Sequence, residues 1–353
     1  MRIAILGSVV LPVPPPRQGG TEWIAYYQAK GLADLGHEVI LLAARGSFMG
    51  KYRLIEIGQG NKSIGAGRAG AESEEIEASR RLRKENVNLA EVMQKLIDLK
   101  DEYDVILNNM RGEAVFLPLT KMLEKPFINV MHLPLFPELA HLFEESKTHV
   151  VTISNAQRKG FSDLNYLATV YNCVDTEKYT FNPIPKGEYL LMLGTIGRHK
   201  NQGAAIRVAK KLGMKLYLSG KIRDEDYFEE LKKEIDGKQI VWHKELEFYR
   251  KVEMYQNAKV FLFPIVWEEP FGLVMIEAMA CGTPVVAFSN GAIPEVVVDG
   301  KTGFVIDSNN EVGMIEAVGK IGSIKRQDCR SHVMENFTVE KMVKGYEEAL
   351  KKI

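Results

Sequence analysis

The sequence predicts an α/β protein built from two doubly wound parallel sheets, and three observations carry that reading. Short, continuously apolar runs alternate with amphipathic helical runs almost from end to end, the pattern of parallel strands covered on both faces by helices. The 353 residues exceed two domains' worth at about 150 residues each. A cluster of turn formers, Asn182, Pro183, Pro185 and Gly187, separates two such series near mid-chain. The expected division is an N-terminal domain over 1–172, a linker over 173–187 and a C-terminal domain over 188–335. A helical pattern from Phe337 to Leu350 has no strand after it, so 336–353 is expected to be a closing helix with the first domain as its candidate partner.

In the first series, strands are expected at Ile3 to Leu6, Glu38 to Ala43, Leu54 to Ile57, Val105 to Leu107, Phe127 to Val130 and Val150 to Ile153. Between them, Ile24, Tyr27, Gly31 and Leu35 recur at helical spacing before Gly36, which serves as a stop. Leu89, Val92, Leu96 and Leu99 repeat that spacing. In the second series, strands are expected at Tyr189 to Leu193, Lys215 to Leu218, Val260 to Phe263 and Pro284 to Ala287, with Ala205, Val208, Ala209 and Leu212 marking a helix. Sheets of this kind bind ligands at the carboxyl ends of their strands.

Composition narrows the function class. Hydrophobic residues make up 46% and charged residues 26%, ordinary globular values that exclude disordered, collagenous and disulfide-scaffold proteins. Lys plus Arg and Asp plus Glu both number 46, for a net charge of zero, which gives no electrostatic reason to expect a nucleic-acid partner. Cys173, Cys281 and Cys329 are far apart and in no ligand spacing, which points to reduced cytosolic thiols rather than structural zinc. No apolar run approaches the ~18 residues of a membrane span. Arg2 and the apolar Ile3 to Leu11 mimic a secretory leader, but a Pro-rich segment without a small-x-small cleavage site follows, so a buried first strand is expected instead. Arg80, Arg81, Arg83 and Lys84 form a basic run interleaved with Glu72, Glu74, Glu75, Glu77 and Glu85, read as a solvated helix face. The glycine-rich Gly58 to Gly70 is expected to be a mobile loop near the ligand site.

Two segments carry chemistry. Pro12 to Gly20 follows the first strand and ends in Gly19-Gly20 before a helix opening at Thr21 and Glu22. Such a loop brings backbone N–H groups to an anion; its bland alternative is a tight turn with Thr21 as N-cap. The dinucleotide fingerprint G-x-G-x-x-G is absent. The second segment, Glu269 to Ala287, reads as loop, helix and strand. Glu269 precedes the helix and Glu277 lies two turns on, so the two carboxylates address different parts of one elongated ligand. The amides of Phe271, Gly272, Leu273 and Val274 are at the first turn, suited to phosphate or sugar hydroxyls. A carboxylate in so apolar a helix needs a partner.

With Glu269-Pro270-Phe271-Gly272, then Glu277-Ala278-Met279-Ala280 and Gly282-Thr283-Pro284-Val285-Val286, the chain resembles the retaining glycosyltransferases of the GT-B fold, family 4. Gly19-Gly20-Thr21-Glu22, Ser154 to Gln157, Asn172 to Asp175, Gly291 to Glu295 and Asp299 to Phe304 match the family in order, so the resemblance runs from Met1 to about Leu350. It implies two Rossmann-like domains facing across a cleft, a nucleotide sugar in the C-terminal half and an acceptor in the N-terminal half. Gly19, Thr21 and Glu22 would then touch the acceptor and Gly20 the donor. Glu277 would hold the ribose, and Glu269 with the Phe271, Gly272, Leu273 and Val274 segment would meet the sugar and phosphates. Lys200 would meet the diphosphate and His132 would lie beside the donor sugar. The family's Gly-Arg is Gly194-Thr195 here, so Arg198 is the expected substitute for the missing cation. Asn172-Cys173 likewise replaces Asn-Gly.

The implied reaction is transfer of a hexosyl group with retention by a front-face displacement, with no cofactor or metal beyond the nucleotide-sugar co-substrate. UDP-glucose is the first donor expected and GDP-mannose the runner-up; the acceptor is a small molecule, a glycan or a lipid. The expected location is the cytoplasm, with peripheral membrane contact left open. Two readings compete: a sugar-nucleotide 2-epimerase of the same fold, which lacks the quoted motif, and a non-catalytic sugar-nucleotide-binding module, for which Thr195 is the support.

Overall fold

The computed structural model describes residues 1–16, 19–58 and 74–353, with side chains of the helix that opens at Glu74 from residue 79 on, except 81. Residues 59–70 of the glycine-rich stretch, Glu72 and the side chains of Glu74, Glu75, Glu77 and Arg81 therefore lie outside the described residues. Arg80, Arg83 and Lys84 are exposed. The chain divides into two units, one of Met1–Thr152, Gly160–Val170 and Val343–Ile353, the other of Ile153–Lys159 and Tyr171–Met342. The segment 173–187 groups with the second unit.

The first unit holds a seven-stranded parallel sheet of β1 (Arg2–Leu6), β2 (Glu38–Ala44), β3 (Arg53–Ile57), β4 (Val105–Asn108), β5 (Phe127–Met131), β6 (His149–Thr152) and β7 (Tyr166–Thr169), in the order β3-β2-β1-β4-β5-β6-β7. The order reverses between β1 and β4, where Leu6 pairs with Asn108. Helix α1 (Gly20–Asp34) ends as its sequence requires. Gly36 takes φ 90°, and the amides of Gly36 and His37 return to the carbonyls of Ala33 and Leu32, closing a Schellman motif that needs a residue without Cβ at C′. The helices α2 (Glu74–Asp98), α3 (Glu113–Leu123) and α4 (Pro137–Ser146) cover the sheet. Leu89, Val92 and Leu96 enter a core with Leu6, Leu42, Ile106 and Phe116. The chain's last residues also belong here. Val343 sits where a Cβ on Gly31 would stand, and Tyr346 and Leu350 are buried.

The second unit has a six-stranded parallel sheet of β8 (Tyr189–Leu193), β9 (Lys215–Ser219), β10 (Ile240–His243), β11 (Val260–Phe263), β12 (Val285–Phe288) and β13 (Gly303–Ile306), ordered β10-β9-β8-β11-β12-β13. Its reversal lies between β8 and β11, paired at Leu190 with Val260 and Leu191 with Phe261. Around it lie α5 (Gln202–Leu212), α6 (Glu225–Lys232), α7 (Phe248–Asn257), α8 (Leu273–Ala280), α9 (Ile293–Val296), α10 (Glu311–Gly319) and α11 (Arg326–Asn336), and α12 (Val339–Leu350) begins in this unit. Two guanidiniums of α11 stitch residues 176–182 to the body of the unit. Arg330 donates to the carbonyls of Thr176, Tyr179 and Ala280, and Arg326 to those of Asn182, Gln256, Ala258 and Cys281. Cys173, Cys281 and Cys329 are buried, unbridged thiols. Among the described residues no helix is long and apolar enough to cross a membrane.

The strands differ from expectation at β7, β10 and β13, none of which the apolar runs disclose. All three are edge strands. Tyr and Thr in β7 and Trp and His in β10 break the apolar run, whereas β13 is apolar but short, and the burial of all three is partial. Gly303 and Phe304, expected in a closing loop, open β13.

Candidate functional site

In the second unit, the loops leaving β8 and β11 flank the reversal of strand order, the position where open α/β sheets place their ligands. After β8, Gly194 adopts φ 153° and Gly220 after β9 φ 155°. A Cβ on Gly220 would overlap the carbonyl of Gly194, so only glycine lets the two strand ends approach this closely. A 3₁₀ turn at Arg198–Lys200 follows, and Asn201 at φ 58° turns the chain into α5. Asn201 donates its side-chain amide to the Pro264 carbonyl at 3.0 Å, and the Val266 amide donates to the His199 carbonyl at 3.0 Å. The two loops are thereby fixed to each other.

Across this junction Lys200 and Glu269 meet. The Lys200 ammonium lies 2.7 Å from Glu269 Oε2, and the Trp267 indole N–H donates to the same oxygen at 3.0 Å. The Lys200 ammonium also stands 5.0 Å from the centre of the Trp267 ring and 5.4 Å from that of Phe263. The side chains are 15% and 11% exposed, so the pair is shielded from water and its hydrogen bonds are charge-assisted. The backbone under Glu269 is held from a third loop. The Ala292 amide donates to the Glu269 carbonyl at 2.8 Å, the Gly291 amide to the Glu268 carboxylate at 2.9 Å, and a Cβ on Gly291 would overlap the Glu269 backbone.

Four residues beyond Glu269, α8 starts with Gly272 as N-cap at φ 85°. The Phe271 side chain is core, its ring tilted against Tyr171 at 6.0 Å and edge-on to Phe337 at 5.7 Å. Phe271 therefore offers its backbone and not its ring, while Leu273 and Val274 are half-buried at the first turn, where helix geometry leaves N–H groups without intrahelical acceptors. Tyr171 also donates to Glu295 at 2.9 Å, whose other donors are the amides of Asn155 and Ala156 at 2.8 and 2.6 Å.

Glu277 faces a different set of partners. Its Oε1 accepts from the Tyr179 phenol at 2.5 Å and the Lys251 ammonium at 3.1 Å, and its Oε2 from the Tyr255 phenol at 2.9 Å. Burial first, and the Glu277 charge second, push both phenols well above their ordinary range, so both remain donors at neutral pH. Lys251 stacks 5.0 Å from the Tyr179 ring centre. These three donors supply the partner that the apolar surroundings of Glu277 demand.

Arg198 lies on the 3₁₀ turn that ends at Lys200. Expected beside Lys200 as a second phosphate cation, it is instead 57% exposed and forked onto Glu230 at 2.5 and 3.1 Å, with Asp224 at 3.7 Å and the Tyr227 ring at 5.2 Å. Both carboxylates belong to α6, Asp224 as its N-cap and Glu230 within the helix. Thr195 is half-buried, and its carbonyl accepts from Gln202 at 2.9 Å.

In the first unit, the loops after β1, β4 and β5 carry the remaining candidates. Helix α1 opens at Gly20 with Gly19 as N-cap, so Thr21 is a first-turn residue and not the cap. Glu22 in that turn accepts from the Ser8 hydroxyl at 3.0 Å. His132, just past β5, places Nε2 2.9 Å from the Asn109 side-chain oxygen, and Asn109 donates onward to Gln28 at 2.7 Å. With Asn109 Nδ2 donating, its oxygen must accept, so His132 carries its proton on Nε2. Burial, and secondarily the Arg111 charge, lower the imidazole to about 4. His132 is therefore neutral at physiological pH.

Trp267, Lys251, Tyr179, Tyr255, Asn109 and Gln28 are the partners that reading the sequence did not supply. Only Trp267 had a local signal, two residues before Glu269. Among the described residues no three of His, Cys, Asp and Glu gather as a metal would require.

Residues 175–333 match the family model of glycosyl transferases group 1. The alpha-maltose-1-phosphate synthase of Mycolicibacterium smegmatis is 43% identical over 89 residues, 23% of this chain and 23% of that protein. The chain spans about half or less of the length of the first curated relatives it matches. Among solved structures, the fold is shared over 99% of the chain with AviGT4, a glycosyltransferase involved in avilamycin A biosynthesis, at 22% identity, a TM-score of 0.71 and 97% coverage of that chain. It is shared over the full length of both chains with Anabaena Alr3699/HepE, solved with UDP and glucose, at 18% identity and a TM-score of 0.76. Residues 175–333, which hold Glu269 and Glu277, are thus similar to the glycosyl transferases group 1, within a fold shared with solved glycosyltransferases.

Proposed function

We propose that the protein is a retaining glycosyltransferase that moves a hexosyl group from a nucleotide sugar, UDP-glucose first among the donors, to an acceptor hydroxyl. The observation that carries the reading is the shielded Lys200 and Glu269 pair at the strand-order reversal of the second unit. An ammonium at that place neutralises a leaving diphosphate, and a fixed carboxylate beside it orients sugar hydroxyls. In the reaction the C1–O bond to the diphosphate breaks with its electron pair leaving on the phosphate. The acceptor oxygen bonds C1 from the same face, and its proton passes to the departing phosphate oxygen.

Lys200 is the proposed diphosphate cation, Glu269 the sugar contact, Glu277 the ribose contact, and the Phe271 to Val274 backbone the donor for phosphate or sugar oxygens. The first unit, through Gly19, Thr21 and Glu22, is the proposed acceptor binder, with Gly20 on the donor and neutral His132 as a contact of the reacting sugar. No cofactor or metal is required in this scheme, and the cytoplasm is the proposed location. Relatives support the donor class, since the Anabaena protein was solved with UDP-glucose as well.

Thermal unfolding against UDP, GDP, ADP and their sugar conjugates tests the reading. A ligand at 100 times its dissociation constant adds about 2.7 kcal/mol to stability. Stabilisation by UDP and UDP-glucose supports the first donor, and stabilisation by GDP and GDP-mannose replaces it with the mannosyl one. A melting curve indifferent to every nucleotide overturns the proposal.

A further inference from the structure

We infer that Trp267 is the positioning residue that keeps Glu269 oriented when Lys200 is drawn to the diphosphate. The inference rests on the donor reading above. In the structure Lys200 and Trp267 address one oxygen, Glu269 Oε2, from 2.7 and 3.0 Å. A cation that neutralises a leaving diphosphate cannot give its full charge to a carboxylate at the same time, so donor binding weakens the Lys200 contact. Glu269 is only 11% exposed, and a buried carboxylate left without a donor suffers the full desolvation cost of that group. The Trp267 N–H prevents this, because it carries no charge that a phosphate attracts. The indole face does a second task. It lies 5.0 Å under the Lys200 ammonium and meets the His199 ring edge-on at 5.6 Å, so it bounds the path along which Lys200 moves from carboxylate to phosphate.

The two tasks separate by substitution. Trp267→Phe removes the N–H and keeps an aromatic face for Lys200; Trp267→Leu removes both. The measurement is calorimetric affinity for UDP and for UDP-glucose on the full chain, with GDP and GDP-mannose as the parallel pair and a melting curve for each variant. Trp267→Phe is expected to leave nucleotide affinity within about twofold, while the ratio of sugar-conjugate to nucleotide dissociation constants rises about fivefold or more, the loss of one charge-assisted hydrogen bond's worth of sugar contact. Trp267→Leu is expected to weaken the bare nucleotide too. A Trp267→Phe protein with the parental ratio overturns the inference and leaves the donor reading standing. An equal loss for nucleotide and conjugate in Trp267→Phe also overturns it, since that is the mark of general damage. Parental protein that binds neither pair removes the donor reading and this inference with it.

Discussion

Tyr255, fully buried on α7, donates its phenol proton across 2.9 Å to Glu277 on α8. The same carboxylate takes Tyr179 and Lys251 on its other oxygen, so the second glutamate of the E-x7-E run is structural partner and proposed ribose contact at once.

Replacement of the two glutamates by alanine should therefore differ in kind. Glu277→Ala strands two buried phenols at about 1–3 kcal/mol each, and should lower both the melting point and the affinity for UDP. Glu269→Ala should leave UDP affinity near its parental value and abolish sugar transfer. Calorimetry with UDP separates the cases, and equal losses in the two variants would contradict the assigned roles.

Arg198→Ala should be nearly silent. The guanidinium is 57% exposed and engaged with Glu230, and exposed ion pairs contribute little. UDP affinity should stay within about twofold of the parent. A tenfold loss would mean that Arg198 leaves Glu230 for the phosphates.

Gly291→Ala should be among the costliest single-methyl additions in the chain. Gly291 has φ 60°, unfavourable for residues with a Cβ, and the added carbon would overlap the Glu269 backbone. A loss of about 2 kcal/mol or more is expected, with sugar-nucleotide affinity falling as Glu269 is displaced. Chemical denaturation reads the first effect and calorimetry with UDP-glucose the second.

Neutral His132 makes stability depend on acid. Its imidazole is lowered to about 4 in the folded chain, against about 6.5 when unfolded. A depressed folded value means that the unfolded chain binds the proton first. The stabilisation is therefore complete above pH 6.5 and is lost as pH falls toward 4, by roughly 2–3 kcal/mol across that window. Denaturation midpoints at pH 7 and pH 5 should differ more for the parent than for His132→Gln. An identical pH response would show that the ring is not the cause.

What the sequence discloses and what it hides follow one physical division. Central strands such as β4, β11 and β12 are buried along their whole length, and apolar runs mark them. The edge strands β7 and β10 are half-solvated and offer no such run, while Gly303 and Phe304 of the edge strand β13 were assigned to a closing loop. Of the candidate residues, Glu269 was legible from its place ahead of a helix, and Lys200 only through the family resemblance. Their environment was not. Tyr179, Lys251 and Tyr255 come from separate segments and converge on Glu277 only through tertiary packing, and no spacing along the chain records that. The pairing of Arg198 is hidden for the same reason, since nothing in Gly197-Arg198-His199-Lys200 announces that Glu230, thirty-two positions on, binds the guanidinium.

The anchoring of residues 176–182 by Arg326 and Arg330 decides where the polypeptide can be cut. A recombinant fragment begun at Tyr189, the first strand of the second sheet, would discard Tyr179 and leave both guanidiniums of α11 facing absent carbonyls. Such a fragment should aggregate or melt far below the intact chain. One begun at Tyr171 retains the phenol on Glu277, the ring against Phe271 and every carbonyl those arginines use on the 176–182 segment.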